Sequence, residues 1–250
     1  MGSGTSMGVP TIACPCSVCT SENPMNKRTR PSLLVTVDGK NLLIDTATDF
    51  RQQAIRENVK KIDAVLYTHS HADHILGLDD LRPFNYFQHS HIPCYGNEST
   101  LRYICEMFRY VFTNPQPGGS IPRIEPRIIQ DRFEVQGVSV QPLPVLHGKI
   151  QVNGYRIGRL SYITDCSEIP EETFRLLGGT SMLILGVLRY EAHPTHLNVE
   201  KALRIIERVQ PDQTFFTHLS HDFDHDVTNR ELPESVRLAY DGLSLEMEEP

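Results

Sequence analysis

A regular alternation of apolar and polar residues predicts a β-hairpin near the start of the chain. Residues 32–37 alternate and are rich in β-branched side chains, and residues 41–45 resume the pattern after Asp38-Gly39. An Asp-Gly pair between two such segments is a strong signal for a tight hairpin turn. We therefore expect two antiparallel strands here, preceded by a loop over residues 2–31.

Short apolar runs predict further strands, and apolar residues at helical spacing predict helices between them. The predicted strands are Ala64–Tyr67, Ile128–Val135, Val138–Leu143, Arg159–Thr164, Met182–Val187, Thr214–Thr217 and Arg237–Tyr240. The predicted helices follow a cap at Thr48, span Glu98–Phe112, begin near Pro170 and follow a cap at Asn198. Threonine and asparagine side chains are common helix caps, and proline suits the first helical turn.

Runs of strands separated by helices indicate a mixed α/β (α+β) fold, with two sheets and helices outside them. No change of composition marks a boundary within the 250 residues, so we expect one domain over residues 1–250. Residues 114–122 are the richest in proline and glycine and are expected to form a surface loop.

Charge and hydropathy exclude several classes of protein. The chain has 24 basic and 31 acidic residues and a net charge of −7, which argues against a basic nucleic-acid-binding face. No run of about 18 apolar residues occurs, so no membrane-spanning helix is predicted. Residues 1–5 lack the basic and apolar regions of a secretory signal, and we therefore expect a cytoplasmic protein.

Four potential metal ligands follow the predicted strand that ends at Tyr67. They are His69, His71, Asp73 and His74. Imidazole and carboxylate groups suit Zn, Mn or Fe, and the first three would project to one side of an extended chain. A single ion cannot accommodate all four comfortably from so short a segment, so the spacing favours two ions.

The pattern H-x-H-x-D-H resembles the signature of the metallo-β-lactamase-fold hydrolases, and the resemblance extends over nearly the whole chain. It implies a four-layer αββα sandwich with two divalent ions at its active site. By this resemblance the ligands form two groups that share Asp165: His69, His71 and His147 in one, and Asp73, His74 and His218 in the other. Asp45, at the end of a predicted strand, matches the aspartate that supports the metal loop from behind.

A second candidate metal site is the motif Cys14-x-Cys16-x-x-Cys19. Three thiolates at this spacing can surround one zinc ion and leave one tetrahedral position open. The motif resembles that of the phosphoribosyl 1,2-cyclic phosphate phosphodiesterases of the carbon–phosphorus lyase pathway, a family within the same fold. There a histidine three residues after the last active-site histidine completes a structural zinc site. The corresponding residue here is His221, so the resemblance implies a Cys₃His zinc site.

Two histidines before the Asn198 cap are candidates for proton transfer. In the same phosphodiesterases, and in the more distantly similar ribonuclease Z, a histidine two residues before a helix cap donates a proton. His196 matches that position, whereas His193 matches less well and is expected beside the site as a supporting residue. Asp73 is expected to steer a proton of the nucleophile while it binds its metal. An imidazole with a pKa near 6.5 suits proton donation around neutral pH.

One feature departs from the family. Relatives usually begin with an apolar strand that leads into a glycine turn similar to residues 2–6. Here Met1 directly precedes that turn, so we expect the first strand of the family to be missing and the edge of the sheet to differ.

The resemblance predicts a metal-dependent phosphodiesterase that acts on a small or cyclic phosphodiester or nucleotide through a hydroxide held by two ions, Zn or Mn with Fe as a third option. The expected partner is this small-molecule substrate, without membrane or nucleic acid, and homodimerisation is left open. Ester, lactone or thioester hydrolysis is the nearest alternative, because the same centre polarises carbonyl groups. Processing of tRNA is less favoured, because no substrate-gripping arm is visible. A non-catalytic metal-binding protein is the alternative of another class, and the complete ligand set argues against it.

Overall fold

The computed structural model describes residues 1–113 and 120–247. Most of the predicted loop at 114–122 and the end of the predicted domain therefore lie outside the described residues. The strands of the described residues form two sheets. The first sheet contains β1 (Leu33–Val37), β2 (Lys40–Ile44), β3 (Ala64–Leu66), β4 (Ile92–Gly96) and β5 (Ile124–Ile128). The second contains β6 (Phe133–Val135), β7 (Val138–His147), β8 (Ile150–Ile157), β9 (Leu160–Ile163), β10 (Met182–Gly186), β11 (Gln213–Thr217) and β12 (Val236–Leu238).

The first sheet begins with the predicted hairpin. Val37 of β1 lies opposite Lys40 of β2, and Asp38 and Gly39 between them have φ angles of 49° and 70°. These positive values give a turn whose twist matches that of the two strands. The strands β2, β3, β4 and β5 then pair side by side in parallel.

The second sheet has an antiparallel half and a parallel half. The strands β6 to β9 pair antiparallel in chain order, and β9 to β12 pair in parallel. The whole of β10 is buried, as expected for a parallel strand covered on both faces. The predicted strand at 128–135 is wrong as a single element, because β5 and β6 belong to different sheets and the chain crosses between them.

Helices connect the strands and cover both sheets. They are α1 (Ser17–Thr20), α2 (Phe50–Arg56), α3 (Ala72–Ile75), α4 (Arg82–Gln88), α5 (Glu98–Met107), α6 (Arg109–Phe112), α7 (Glu171–Leu176), α8 (Val199–Val209) and α9 (His225–Glu231). Asn198 caps α8 as predicted, since its Oδ1 accepts the backbone N–H of Lys201 at 3.1 Å. The predicted cap at Thr48 is wrong: α2 starts after Asp49, and the Thr48 hydroxyl donates to the carbonyl of Ala72. In the described ranges every helix is too short or too polar to cross a membrane.

Alternate residues of a strand face opposite sides of its sheet, and the buried apolar side chains form three hydrophobic layers. Leu42 and Ile44 of β2 pack between the two sheets, while Leu43 packs outward against α2 and α5. On the far face, Leu183 and Leu185 of β10 pack against α8. The two sheets thus lie back to back with helices on both outer faces, which confirms the predicted four-layer αββα architecture.

Candidate metal centre and active site

The predicted metal ligands lie where strands of both sheets end. The segment that carries His69 to His74 follows β3 of the first sheet. His147 is the last residue of β7, and Asp165 and His218 follow β9 and β11 of the second sheet. Each of these strands is held in place by buried apolar residues, so the polar residues at their ends meet at one edge of the sandwich.

The structure brings the seven predicted donors into two groups. Within each group one donor atom per residue lies within 4.8 Å of every other: His69, His71, His147 and Asp165 in one group, and Asp73, His74 and His218 in the other. Asp165 faces both groups. Its Oδ2 is 3.7 Å from His147 Nε2, and its Oδ1 is 3.2 Å from both His74 Nε2 and His218 Nε2.

The donor set fits divalent cations. Nε2 of His74 and both ring nitrogens of His218 are buried and make no hydrogen bond of acceptable geometry in the part of the chain that the structure describes, although Asp165 lies nearby. Buried polar atoms in native proteins almost always have a partner, and a cation would satisfy an imidazole Nε2. His71 is exposed to solvent, so the centre is open on that side.

Hydrogen bonds behind the centre orient several rings. The buried carboxylate of Asp45 accepts from the backbone N–H and hydroxyl of Thr68 at 2.8 and 2.7 Å, and it lies 2.7 Å from Nδ1 of His74. The Thr68 hydroxyl lies 3.0 Å from Nδ1 of His69. Both histidines are thereby held with Nε2 towards the centre, a common arrangement behind metal-binding histidines.

Charges within the centre shift several pKa values. Burial lowers the pKa of His69 well below its ordinary value of 6.5. Burial would also lower the pKa of His74, but Asp165 and Asp45 raise it well above 6.5. Against its own burial, the pKa of Asp165 is held well below 3.8 by His218 and His74. Carboxylates and imidazoles are thus electrostatically matched, which favours the ionised carboxylate that binds a cation.

His196 stands over the two donor groups. Its Nδ1 is 3.9 Å from Asp165 Oδ2, and its ring stacks on that of His218 with 5.0 Å between centroids. Burial, followed by the charges of His218 and His147, lowers the pKa of His196 to about 3. Burial at this place thus favours the neutral imidazole of His196 over the imidazolium.

His193 lies beside this arrangement, outside both donor groups. Its ring centroid is 5.1 Å from that of His196, and its Nδ1 accepts the backbone N–H of Thr195 at 3.3 Å. The carbonyl of the same Thr195 lies 2.7 Å from Nδ1 of His147. Sequence reasoning missed Thr195, because its backbone carbonyl is used and carries no sequence signal. Thr68 was also missed, although its place directly before His69 could have pointed to it.

The residues of the second predicted site also lie close together. The sulfur atoms of Cys14, Cys16 and Cys19 lie 3.1, 3.4 and 3.6 Å from Nδ1 of His221. The backbone N–H of Cys19 bonds to the sulfur of Cys16 and lowers its pKa to about 6, which favours the thiolate that binds metal. Three sulfurs and one imidazole nitrogen fit a single tetrahedral zinc ion.

Comparisons with known proteins agree with this geometry. A sequence profile of the beta-lactamase superfamily domain matches residues 40–219. A crystal structure described as a new diphosphatase from the PhnP family is 46% identical, with a TM-score of 0.92 over 99% of this chain and 96% of that one. The short form of human tRNase Z shares the fold at a TM-score of 0.71 and 18% identity, over 99% and 97% of the two chains.

One relative is much longer than this chain. An octanoyltransferase of Porphyromonas gingivalis is 38% identical over 256 aligned positions, which cover 100% of this chain and 51% of that protein. The chain therefore spans about half the length of this relative. A ribonuclease Z of Bradyrhizobium diazoefficiens is also 38% identical, but only over 60 residues, which are 23% of this chain and 20% of that protein.

Proposed function

Because the chain belongs to the beta-lactamase superfamily, and within it to the PhnP family, we propose that it is a metal-dependent phosphodiesterase acting on a small phosphodiester or nucleotide. The observation that carries the proposal is the position of His196 beside two donor groups that share Asp165. Hydrolysis of a phosphodiester expels an alkoxide, a poor leaving group that needs a proton. A histidine next to the metal donors supports that class of reaction.

The proposed metal ligands are those that the structure brings together. One divalent ion would be held by His69, His71 and His147, a second by Asp73, His74 and His218, with Asp165 between them. When bound, such ions supply a nucleophile from water at neutral pH and neutralise charge on phosphate oxygens. Imidazole and carboxylate donors suit Zn or Mn, and Fe as a third option. We also propose a structural zinc ion held by Cys14, Cys16, Cys19 and His221.

Two residues of the chain would handle protons. In the free site burial favours the neutral form of His196, because it lowers the pKa of the ring to about 3. A phosphate anion beside the ring would raise that pKa, so that His196 would take a proton from solvent as substrate binds and donate it to the leaving alkoxide. Asp73, whose Oδ2 is 3.6 Å from His218 Nε2, would accept a hydrogen bond from the attacking water and so steer its proton. Asp45 and His193 would support the site without touching the substrate.

A small substrate fits this chain better than a nucleic acid. Its net charge of −7 disfavours binding of RNA, and the 18% identity to human tRNase Z extends to the fold alone. We propose that residues 1–250 form one domain, because residues from both sheets share the hydrophobic layer between them.

Hydrolysis of an acyl ester or thioester is the second candidate function. The observation in its favour is the similarity to one half of a protein whose name refers to transfer of an octanoyl group. The same metal donors can polarise a carbonyl oxygen, but an acyl thioester has a good leaving group and would not require His196.

The test is a substrate panel with protein of measured metal content. The panel contains bis(p-nitrophenyl) phosphate, nucleoside cyclic phosphates, a ribose cyclic phosphate, a nucleoside diphosphate sugar, a lactone and an octanoyl thioester. We expect metal-dependent turnover of at least one phosphodiester or diphosphate. Turnover of acyl substrates alone would support the second candidate, and loaded protein that turns over no substrate would contradict both.

A further inference from the structure

His218 is held differently from the other buried histidines of the centre. His69, His74 and His147 each use Nδ1 in a hydrogen bond to a neighbouring residue. Nδ1 of His218 has no partner within the described ranges. Its φ angle is 59°, a left-handed conformation that non-glycine residues keep only when the surrounding structure enforces it. The position of this ring therefore depends on what holds the backbone around it.

The backbone after His218 is held by the N-terminal strap, which we define as residues 2–31. Leu219 donates its N–H to the carbonyl of Ser3 at 2.9 Å. The carbonyl of Leu219 accepts the N–H of Thr5 at 3.0 Å. The residue that follows His218 is thus paired on both its polar backbone groups with the strap.

Arg28 adds a second attachment from the same strap. Its side chain is buried, and its guanidinium donates to the carbonyls of Ser220 and Phe223 at 3.3 and 2.9 Å. The backbone of Arg28 pairs with that of Val9 at 2.7 and 2.8 Å, which folds the strap back on itself. A shift of the strap would therefore move the turn of residues 217–223, here called the ligand turn.

The sulfur cluster joins the two segments at a third point. His221 belongs to the ligand turn, three residues after His218, while the three cysteines belong to the strap. The contacts from His221 Nδ1 to the sulfurs span 3.1 to 3.6 Å. An ion held by these four residues would tie the strap to the ligand turn by coordinate bonds, which are far stronger than hydrogen bonds.

We propose that the Cys₃His cluster positions His218, so that its occupancy by metal selectively strengthens ion binding at the subsite of Asp73, His74 and His218. His221 is in this sense a positioning residue. The subsite of His69, His71 and His147 would be affected much less, because those rings are held by Thr68 and Thr195 or lie on other loops. The inference rests on the two-ion centre of the proposed function, but not on the identity of the substrate.

Metal titration of variants tests this selectivity. Protein with zinc in the sulfur cluster and an empty active site is titrated with Co²⁺, and two dissociation constants are measured. His218→Ala and His71→Ala identify which step belongs to which subsite. Binding of Co²⁺ at the subsite that contains His218 is here called the His218 step. We expect His221→Ala to raise the dissociation constant of this step by about 10- to 100-fold, as loss of a supporting residue commonly does. The dissociation constant of the other step should stay nearly unchanged.

A conservative variant separates positioning from general loss of stability. His221→Cys offers a fourth thiolate and can still form a tetrahedral zinc site, so we expect it to restore the His218 step. Hydrogen exchange of the ligand turn should increase in His221→Ala and return towards wild type in His221→Cys. Equal weakening of both Co²⁺ steps in His221→Ala, or no weakening of either, would overturn the proposal.

A third arm uses the unmutated cluster in case His221→Ala does not fold. A mercurial thiol reagent removes zinc from the cluster, in a Cys105→Ala background that lacks the partly exposed thiol outside it. Removal of this zinc should raise the dissociation constant of the His218 step by about 10- to 100-fold. Because coupling between two sites is reciprocal, Co²⁺ in the active site should tighten zinc binding at the cluster by that factor. An absence of reciprocity would contradict the coupling.

The two proposals fail separately in these experiments. Protein that shows the selective Co²⁺ effect but hydrolyses no phosphodiester would refute the proposed function alone. If the protein hydrolyses phosphodiesters but His221→Ala weakens both Co²⁺ binding steps equally, the coupling alone would be refuted.

Discussion

His196 is the residue whose loss should separate chemistry from metal binding. It lies 3.9 Å from Asp165 and stacks on His218, but both donor groups are complete without it. We expect His196→Ala to keep its metal and to lose about 10²- to 10⁴-fold in turnover of substrates with alkoxide leaving groups. Turnover of bis(p-nitrophenyl) phosphate should fall far less, because p-nitrophenolate leaves without a proton.

His193→Ala is the comparison for this variant. His193 lies next to His196 but outside both donor groups, so its replacement should cause a smaller loss that is the same for both substrate types. Elemental analysis and steady-state kinetics on the two substrates provide the measurement. A loss in His196→Ala that does not depend on the leaving group would argue against proton donation by this residue.

Asp45 should control metal affinity without touching an ion. Its buried carboxylate binds Thr68 and His74, and its φ angle of 62° is one that asparagine tolerates well. Asp45→Asn keeps the shape and removes the charge behind His74, so we expect metal affinity to fall by about 10- to 100-fold. Asp38→Asn is a matched control, since Asp38 has a φ of 49° in an exposed turn.

Competition with a chelator of known affinity gives the apparent metal affinity of both variants. Asp38→Asn should match the wild type. Equal affinities for Asp45→Asn and Asp38→Asn would show that the charge of Asp45 is not needed.

The turn between β7 and β8 must fit closely against the loop that carries His196. Gly148 in this turn has a φ of 61°, and a Cβ there would lie 2.9 Å from Cγ2 of Thr195. Gly158, between β8 and β9, has a φ of 57° and nothing within 4 Å of a Cβ. Alanine substitutions at these two glycines therefore distinguish the effect of backbone strain from that of a steric clash.

We expect Gly148→Ala and Gly158→Ala each to lose about 1–2 kcal/mol of unfolding free energy from the left-handed conformation. Only Gly148→Ala should also lose activity, because displacement of Thr195 disturbs both His147 and His196. Urea unfolding and kinetics measure the two effects. Full activity in Gly148→Ala would show that the loop adjusts without cost to the site.

The pattern of apolar residues predicts a strand or helix correctly where contacts with the rest of the fold favour the same structure as the local sequence. The β1–β2 hairpin, the buried strand β10 and the capped helix α8 are of this kind, and the structure has all three. The candidate metal ligands can also be identified from the sequence, because each of them follows an apolar strand. What the sequence could not supply was which backbone carbonyls and strap contacts hold those ligands.

The strand β8 shows how a partner overrides a local signal. Its Asn153-Gly154 pair is a strong turn signal, and no strand was predicted there. In the structure a Cβ at Gly154 would lie 2.6 Å from the carbonyl of Tyr162 in β9, so only glycine allows these strands to approach. The N–H of Asn153 donates to Thr68 next to the metal ligands. These contacts involve residues far away in the sequence, so the residues around Asn153 and Gly154 alone could not predict the strand.

The molecule as a whole should depend on metal for its stability. Buried carboxylates and imidazoles from both sheets converge on one centre, and ions that bind only the folded state stabilise it by mass action. An ion present at about 1,000 times its dissociation constant contributes about 4 kcal/mol. For a chain of this size, complete chelation should therefore lower the melting temperature by roughly 10 °C.

Calorimetry before and after chelation measures this effect. Return of zinc or manganese should restore the melting temperature, whereas magnesium should not, because it prefers oxygen ligands in octahedral geometry. Verified metal-free protein that melts at the original temperature would contradict a centre shared by the two sheets.

The spread of the ligands along the chain also sets the order of events during synthesis. The first four donors emerge from the ribosome together, but Asp165 and His218 follow much later, after strands of the second sheet. A nascent chain that ends before β11 can offer an ion only an incomplete set of donors. Because the donors lie so far apart in sequence, a complete centre can bind ions only once translation has passed β11. The ion that occupies the centre would then reflect which metals are available to the finished protein.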